Sequence, residues 1–493
     1  MAKKRTNVLA IGGLHSGKTE SLIIPNILEM DSSIIVSDPD NEILMSMGPL
    51  LMKIGYAIKT LTLGSPEYSH HYNPLKYVYD INGEYSEEKT SIIATAYINE
   101  VFPYTGLEIF YVNIIRGMLN AGIGYLAELA PEEDRNLEGL SKLFKQWIYA
   151  KNVEEVLKDI SGRNPGAKSK DILAKMSQIS GDMLNRALQA LITSLEGLVD
   201  DEEIADLLMI EPFSESSSIT QSTNIDIESI GYKRTALFID TDVDKPVYRW
   251  INVTLIAQCY DILGDAAELA KNKYYIEHNG YPISGMFDTE DTAEIWKNMY
   301  SKAYVTTDNG IACLRSDKGC ITYVCNKEVG EKKISEFREA KITMQQDRKL
   351  PMPVKVILKD LDHIGAIPLL EENMAAGRYI GMNTILTARS YRQLAELYPS
   401  TVEKIIHHCK FVMYFGYTDE ESKEYILKLI KDNTAQEMQE LVPEQLPDTM
   451  NIIIDMRTEP YTVRYDYKYD ITQHRNYPIY IKNIHPEKAI AHG

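Results

Sequence analysis

Long apolar runs, paired cysteines and an excess of cations are what this 493-residue chain does without. No uninterrupted stretch of 18 or more apolar residues occurs, so no segment reads as a membrane-crossing helix. The opening MAKKRTNVLAIGG is basic but passes straight into a Gly-rich turn, which is not the core of a signal peptide. The five cysteines, Cys259, Cys313, Cys320, Cys325 and Cys409, include no C-x-x-C pair, and an odd count suits reduced thiols in a reducing compartment. The spacing of Cys313, Cys320 and Cys325 is poor for zinc. Lys plus Arg number 52 against 71 Asp plus Glu, a formal net charge of -19, which argues against a protein that coats duplex DNA with its whole surface. Nucleic acid is left with a local basic patch or a lined channel.

The rest of the composition is that of an ordinary globular protein. Hydrophobic residues at 44% and charged residues at 25% set aside disorder, collagen and low complexity, and no internal repeat is found. At roughly 150 residues per domain, the length suggests about three domains.

The most informative stretch lies at the start. Asn7 to Ile11 is an apolar run of strand length, and Gly12-Gly13-Leu14-His15-Ser16-Gly17-Lys18-Thr19 fits G-x-x-x-x-G-K-[ST]. A helix can follow through Ser21-Leu22-Ile23-Ile24, with Pro25 near its start or at a kink. Strand, Gly loop and helix in that order is what a phosphate-binding loop needs, because backbone N-H groups and a helix N-terminus must both face the phosphates. Lys18 would then reach the β- and γ-phosphates and the Thr19 hydroxyl would ligate Mg²⁺. The competing reading is a chance match in a Gly-rich turn. His15 is tolerable there if its position keeps a negative φ, though it narrows the space over the phosphates.

A second apolar strand, Ser33 to Ser37, runs into Asp38, and a helical stretch follows to about Ile54. Tyr56 to Leu63 alternates like a strand. Strands alternating with helices predict a parallel α/β sheet with ligands at the strand C-terminal ends, where Asp38 would sit. From about residue 85 to 225 the texture becomes helical, broken at Gly162 to Gly166. Sheet texture returns at Thr235 to Asp240, Val354 to Leu358, Asn383 to Leu386 and Lys410 to Phe415. The expected organisation is therefore a discontinuous nucleotide-binding domain, 1–84 and 226–493, closing around an all-α domain, 85–225. Residues 265–350 lack clear periodicity and read as an insertion of unknown role.

Taken in order, these motifs resemble one family, the coupling proteins of type IV secretion and conjugation in the VirD4/TraG group. The resemblance rests on NVLAIGGLHSGKTES, DSSIIVSDPDNEIL, GYAIKTLTL followed by Tyr72-Asn73-Pro74-Leu75, RTALFIDTD, HIGAIP and the tail YDYKYDITQHRNY. These strings run from residue 7 to 477, leaving 265–350 without a counterpart. The resemblance implies a RecA-like P-loop NTPase with a mainly parallel sheet and an inserted all-α domain. It also implies use of ATP and Mg²⁺ and assembly as a homo-hexamer on the cytoplasmic side of the bacterial inner membrane. Such a ring recruits a relaxase with its single-stranded DNA and feeds them to the type IV secretion channel proteins. Relatives usually carry an N-terminal pair of membrane helices, whereas here the Gly loop begins by residue 12. The implied membrane link is a missing N-terminal anchor or a separate membrane partner.

The second catalytic motif departs from the family pattern. Anchored on Ile364-Gly365 and Ile367-Pro368, the family string D-E-F-A-N-I-G falls on Lys359 to Gly365, which places Lys359 where a metal-holding aspartate is expected. In a shifted register Asp360 takes the metal role and Asp362 the base role, and strand alternation would put both on one face if the strand extends that far. Solvated acids of no special role are the third possibility. The Gln-rich string of relatives is replaced by Thr387-Ala388-Arg389-Ser390-Tyr391-Arg392-Gln393, where Thr387 could bond a phosphate or a water and Arg389 could add charge. Arg378 matches one arginine of the family string R-S-R-E and is either a finger toward a neighbouring nucleotide or a surface residue paired with Glu371 or Glu372. Two functions are thus open, an ATP-driven translocase and a nucleotide-binding receptor or assembly subunit with little hydrolysis.

His70-His71 and His407-His408 alternate faces if they lie on strands and do not converge on a metal without a third ligand. The run Tyr461 to Tyr469 alternates aromatic and polar groups, suited either to stacking on single-stranded DNA or to an edge strand.

Overall fold

The computed structural model describes residues 6–39, 41–102, 109–149, 153–210, 223–241, 246–308, 311–324, 326–416, 418–433, 451–458, 462–466, 474 and 476. Its strands, in chain order, are β1 (Val8–Ile11), β2 (Ser33–Ser37), β3 (Ala57–Leu61), β4 (Thr235–Ile239), β5 (Tyr274–His278), β6 (Tyr281–Pro282), β7 (Tyr304–Asp308), β8 (Ile311–Ser316), β9 (Gly319–Tyr323), β10 (Lys341–Met344), β11 (Val354–Leu358), β12 (Met382–Ala388), β13 (Phe411–Tyr414), β14 (Asn451–Asp455) and β15 (Thr462–Asp466).

Nine of them form one sheet in the order β15-β14-β13-β1-β12-β11-β2-β4-β3. From β13 to β3 every pairing is parallel, and β14 and β15 add an antiparallel edge. Short runs such as SIIVS in β2 and VKVIL in β11 are buried throughout, as parallel strands covered on both faces must be. Alternate residues feed two cores. Leu9, Ile11, Val356 and Leu358 join one, while Ala10, Val36 and Ile357 join the other. The second core is closed by α1 (Ile24–Leu28) and α2 (Glu42–Lys53).

The first core continues without a break into a helical layer. It consists of α3 (Glu87–Val101), α4 (Ile109–Leu129), α5 (Leu137–Tyr149), α6 (Val153–Arg163), α7 (Lys168–Met176), α8 (Gly181–Val199) and α9 (Glu202–Leu207). The expected break at Gly162 to Gly166 covers the last two residues of α6 and the turn that leads to α7. After α10 (Ile227–Ile230) and β4 comes α11 (Pro246–Ala270), a 25-residue helix that lies against α3, so the helical layer and the sheet share buried surface.

Residues 265–350, whose sequence shows no clear periodicity, carry regular structure. α11 runs on to Ala270, and β10-β5-β6 and β7-β8-β9 make two small sheets beside α12 (Glu290–Ser301) and α13 (Lys327–Glu339). Ile276, Tyr300, Leu314, Ile334 and Phe337 give this region a core of its own. The last helices are α14 (Leu361–Ile364), α15 (Leu370–Ile380), α16 (Tyr391–Leu397), α17 (Val402–His408) and α18 (Glu420–Asn433). His407 and His408 end α17 instead of lying on a strand, and His408 Nε2 sits 2.9 Å from Glu371. Of the Tyr461 to Tyr469 run, 462–466 form the edge strand β15 and the remainder lies outside the described residues.

Candidate active site

In this sheet the Gly-loop strand β1 and the acidic strand β11 are separated by β12, so three strand ends converge: Ile11, Ala388 and Leu358. The loop after β1 is held from two sides. Gly12 N-H donates to the Ala388 carbonyl (3.1 Å) and Gly13 N-H to the Gly416 carbonyl beyond β13 (3.0 Å). A side chain at residue 12 has no room, since a Cβ there would fall 2.6 Å from Phe415 Cβ and 2.8 Å from Ser16 Oγ. Gly17 has φ 89, open to glycine at no steric cost. His15 has φ 56, so the condition of a negative φ is not met, but histidine is among the residues that tolerate this left-handed region. Its side chain and that of Leu14 are exposed.

The loop runs into a single wide turn at residues 19–23, in which Ile24 N-H reaches back to the Thr19 carbonyl. Pro25 explains the slip, because its ring would clash with the carbonyl four residues back and it has no N-H to give. Thr19 is the first residue of this turn, where N-H groups have no partner within the helix.

Lys18 is buried, and its ammonium donates to the Gly13 carbonyl (3.0 Å) and to that of Gly12. Burial pushes it below the usual lysine range, while the carboxylate of Asp360, 3.6 Å away, pulls the other way. Ser16 Oγ is buried in the same loop without a hydrogen-bond partner.

β11 ends at Leu358, so Asp360 and Asp362 are not placed by strand alternation as expected. Asp360 instead adopts a left-handed backbone (φ 50, ψ 68) just before α14, and Asp362 lies in the first turn of that helix. Thr387, fully buried at the end of β12, fixes the arrangement: its hydroxyl accepts the Asp360 N-H (2.8 Å) and lies 3.4 Å from Asp360 Oδ1. Asp362 Oδ2 is 3.7 Å from Arg389 Nε and its Oδ1 is buried without a partner. Both acids and Arg389 act electrostatically on Lys18, so Lys18, Asp360, Asp362, Thr387 and Arg389 form one cluster.

Lys359 belongs elsewhere. Its ammonium meets Glu42 Oε2 (2.8 Å) at the start of α2, and its backbone is stitched to Ser37 through N-H to Oγ (2.7 Å) and Oγ to carbonyl (3.2 Å). Glu42 was not singled out from the sequence. Asp38 caps α2, accepting from Ile43 N-H (3.1 Å) and Leu44 N-H (2.8 Å), and burial raises its carboxyl above the usual range. Arg378, in the last turn of α15, lies before β12, and the strand from Met382 to Thr387 spans about 17 Å at 3.3 Å per residue. Glu371, one of its expected partners, sits beside His408 (2.9 Å) and Lys404 (3.8 Å).

Residues 3–191 match the family model for conjugative DNA transfer of the type IV secretory system, and residues 353–441 match the TraM recognition site of TraD and TraG. No curated protein sequence matches. Among solved structures, the unbound bacterial conjugative coupling protein TrwBdeltaN70 is similar at 12% identity and a TM-score of 0.48, over 94% of this chain and 85% of that one. TrwB with the non-hydrolysable GTP analogue GDPNP gives 11% and 0.47, over 94% and 88%. VirB4 of Thermoanaerobacter pseudethanolicus gives 10% and 0.43, over 94% and 89%. The two family models fall on the two halves of the cluster, the first on the loop of Lys18 and the second on the strands of Asp360 and Thr387, and together they cover more than half of the sequence: the chain belongs to the VirD4/TraG family of conjugative type IV secretion coupling proteins.

Proposed function

We propose that this coupling protein is an ATP-driven motor, with the loop Gly12 to Thr19 as its phosphate cradle. The observation that carries the reading is the cluster itself: Lys18 and Asp360 stand 3.6 Å apart, braced by Thr387 of the strand between theirs. The donor set suits nucleotide with Mg²⁺, which takes one or two protein oxygens and completes its shell with phosphate and water. Thr19 and Asp360 would hold the ion, and it would supply neutralisation of charge developing on the phosphates. Ser16 Oγ, buried without a partner, is a donor available to a phosphate oxygen.

The chain's own residues then divide the work. The loop amides and Lys18 bind and orient the phosphates. Asp362, whose Oδ1 is unpartnered, orients or deprotonates the attacking water, and Arg389 limits the charge that Asp362 imposes. Thr387 holds Asp360 in place from the next strand. Arg378, on α15 at the opposite end of β12 from the loop, is too far to serve its own loop, and as a finger it would act on a neighbouring subunit of a hexameric ring. The helical layer, 85–225, receives the relaxase with its single-stranded DNA and passes them to the secretion channel proteins at the cytoplasmic face of the inner membrane. No helix among the described residues is long and apolar enough to cross a membrane.

The receptor reading with little hydrolysis is favoured by a Lys359 in the metal position, and the pairing of Lys359 with Glu42 speaks for the motor. Steady-state ATPase with and without single-stranded DNA, measured beside ATP affinity, tests the proposal. Stimulated turnover supports it; tight ATP binding with no turnover supports the receptor.

A further inference from the structure

We propose that Glu100 is a positioning residue that ties the helical layer to the turn carrying Asp360, so that a change at the nucleotide site is transmitted along α3. This rests on the nucleotide reading above. α3 lies antiparallel on α11 and is pinned along its length. Near its start the Lys89 ammonium bridges Asp261 and Asp265 (2.7 Å to Asp265), and further on Tyr97 packs edge-on against Trp250 with ring centroids 5.0 Å apart. Near its end Glu100 turns its carboxylate inward, with the side chain 9% exposed.

That carboxylate is aimed at the far side of the acidic turn. Glu100 Oε1 accepts the Ala366 N-H (3.3 Å), and the Arg249 guanidinium of α11 stands 3.6 Å from Oε2. Two independent features of Gly365 mark the contact as specific. Its backbone (φ 103, ψ 179) is a conformation essentially reserved for glycine, and a Cβ there would fall 2.8 Å from Glu100 Cδ and closer still to Oε1. The same turn is tied at two more points, by Gly365 N-H to the Leu361 carbonyl (3.4 Å) and by Ile367 N-H to the Tyr398 hydroxyl (2.8 Å). With Leu361 and Ile364 both buried, the four-residue helix α14 has little room to deform internally. A shift of Asp360, itself held in a strained left-handed backbone, is therefore carried as a body to Gly365 and Ala366, where Glu100 meets it. Glu100 touches neither phosphate nor water; it acts through the turn.

The test is hydrogen exchange of the full chain with and without ATP and Mg²⁺, in the wild type and in Glu100→Ala and Glu100→Gln. In the wild type, nucleotide should slow exchange at 12–19, at 360–367 and at 95–101. In Glu100→Ala the response at 12–19 should persist and that at 95–101 should be lost. Glu100→Gln keeps an acceptor for Ala366 N-H and should restore at least half of it, which a merely structural role would not require. A wild-type-sized response at 95–101 in Glu100→Ala overturns the proposal. Absence of any response at 12–19 in the wild type overturns the nucleotide reading, and the transmission with it. The contact is tested separately by thermal denaturation: Gly365→Ala should lower Tm less in the Glu100→Ala background than in the wild type, and equal losses would contradict it.

Discussion

The turn after β1 and the turn after β11 face each other across β12 and have departed from their family patterns in different ways. The first keeps the glycines, lysine and threonine of the phosphate-loop pattern, with His15 exposed. The second has a lysine where an acid is expected and supplies its carboxylate from the next residue, turned inward by a left-handed backbone. The difference follows from what each turn does. A loop that presents backbone N-H groups depends on torsions and space, as at Gly12 and Gly17, whereas a turn that presents one carboxylate can take it from a neighbouring position if the backbone bends to suit. Lys359 then takes up a structural pairing with Glu42 on the other side.

The sharpest way to separate the two turns is to remove the charge of the first. Lys18→Ala should weaken ATP binding about 10- to 100-fold, in keeping with roughly 1.5–3 kcal/mol for a hydrogen bond to a charged group. The circular dichroism spectrum should be unchanged. Titration of a fluorescent ATP analogue decides it, and unchanged affinity would remove the loop from the site.

A smaller effect is expected at the brace between them. Thr387→Ala leaves the buried Asp360 N-H without its acceptor, which costs about 1–3 kcal/mol. Turnover should fall about 10-fold at little change in ATP affinity, and Thr387→Ser should recover most of it. Equal rates for all three proteins would show that Asp360 does not depend on its neighbour strand.

A pH titration supplies a control outside both turns. His70 Nδ1 accepts the Thr60 N-H (3.1 Å), and burial lowers its pKa from 6.5 to about 4. A depressed histidine favours the neutral form in the folded state, so its contribution is present above about pH 6.5 and is lost as the pH falls toward 4. With its partial exposure the size is on the order of 1 kcal/mol. Thermal denaturation between pH 7 and 4 should show a shallower fall for His70→Gln, with ATP affinity at pH 7 unchanged; parallel curves would contradict this.

The contrast between the turns also marks what the sequence made legible. The loop after β1 could be read because its requirements are local: a strand, spaced glycines, Lys18, Thr19 and a helix start. The turn after β11 is left by the sequence with two registers and a third reading of solvated acids, because the choice depends on the φ of Asp360 and on Thr387 one strand away, and neither shows in a linear pattern. Glu42 and Glu100 were invisible for the same reason, since each acts on a residue hundreds of positions distant. In the 265–350 region the strands are too short for periodicity to stand out, although Asn279-Gly280, at φ 53 and 84, is the turn expected of the tight β5-β6 hairpin. The helical layer was legible as helices, but not its shared core with the sheet, which ties α3 to α11. Excising the layer would strip cover from that core, so single substitutions test it better than deletion.

The most direct test of the central claim, that Asp360 and not residue 359 is the working acid beside Lys18, is the steady-state ATPase rate of the wild type, Asp360→Asn and Lys359→Asp, measured together at saturating ATP and Mg²⁺. The account predicts measurable turnover in the wild type and a loss of about 10²–10³ in Asp360→Asn with ATP still bound. In Lys359→Asp it predicts no gain, because that change breaks the pair with Glu42 and sets a second acid beside it. A silent wild type that Lys359→Asp brings to life would contradict the account.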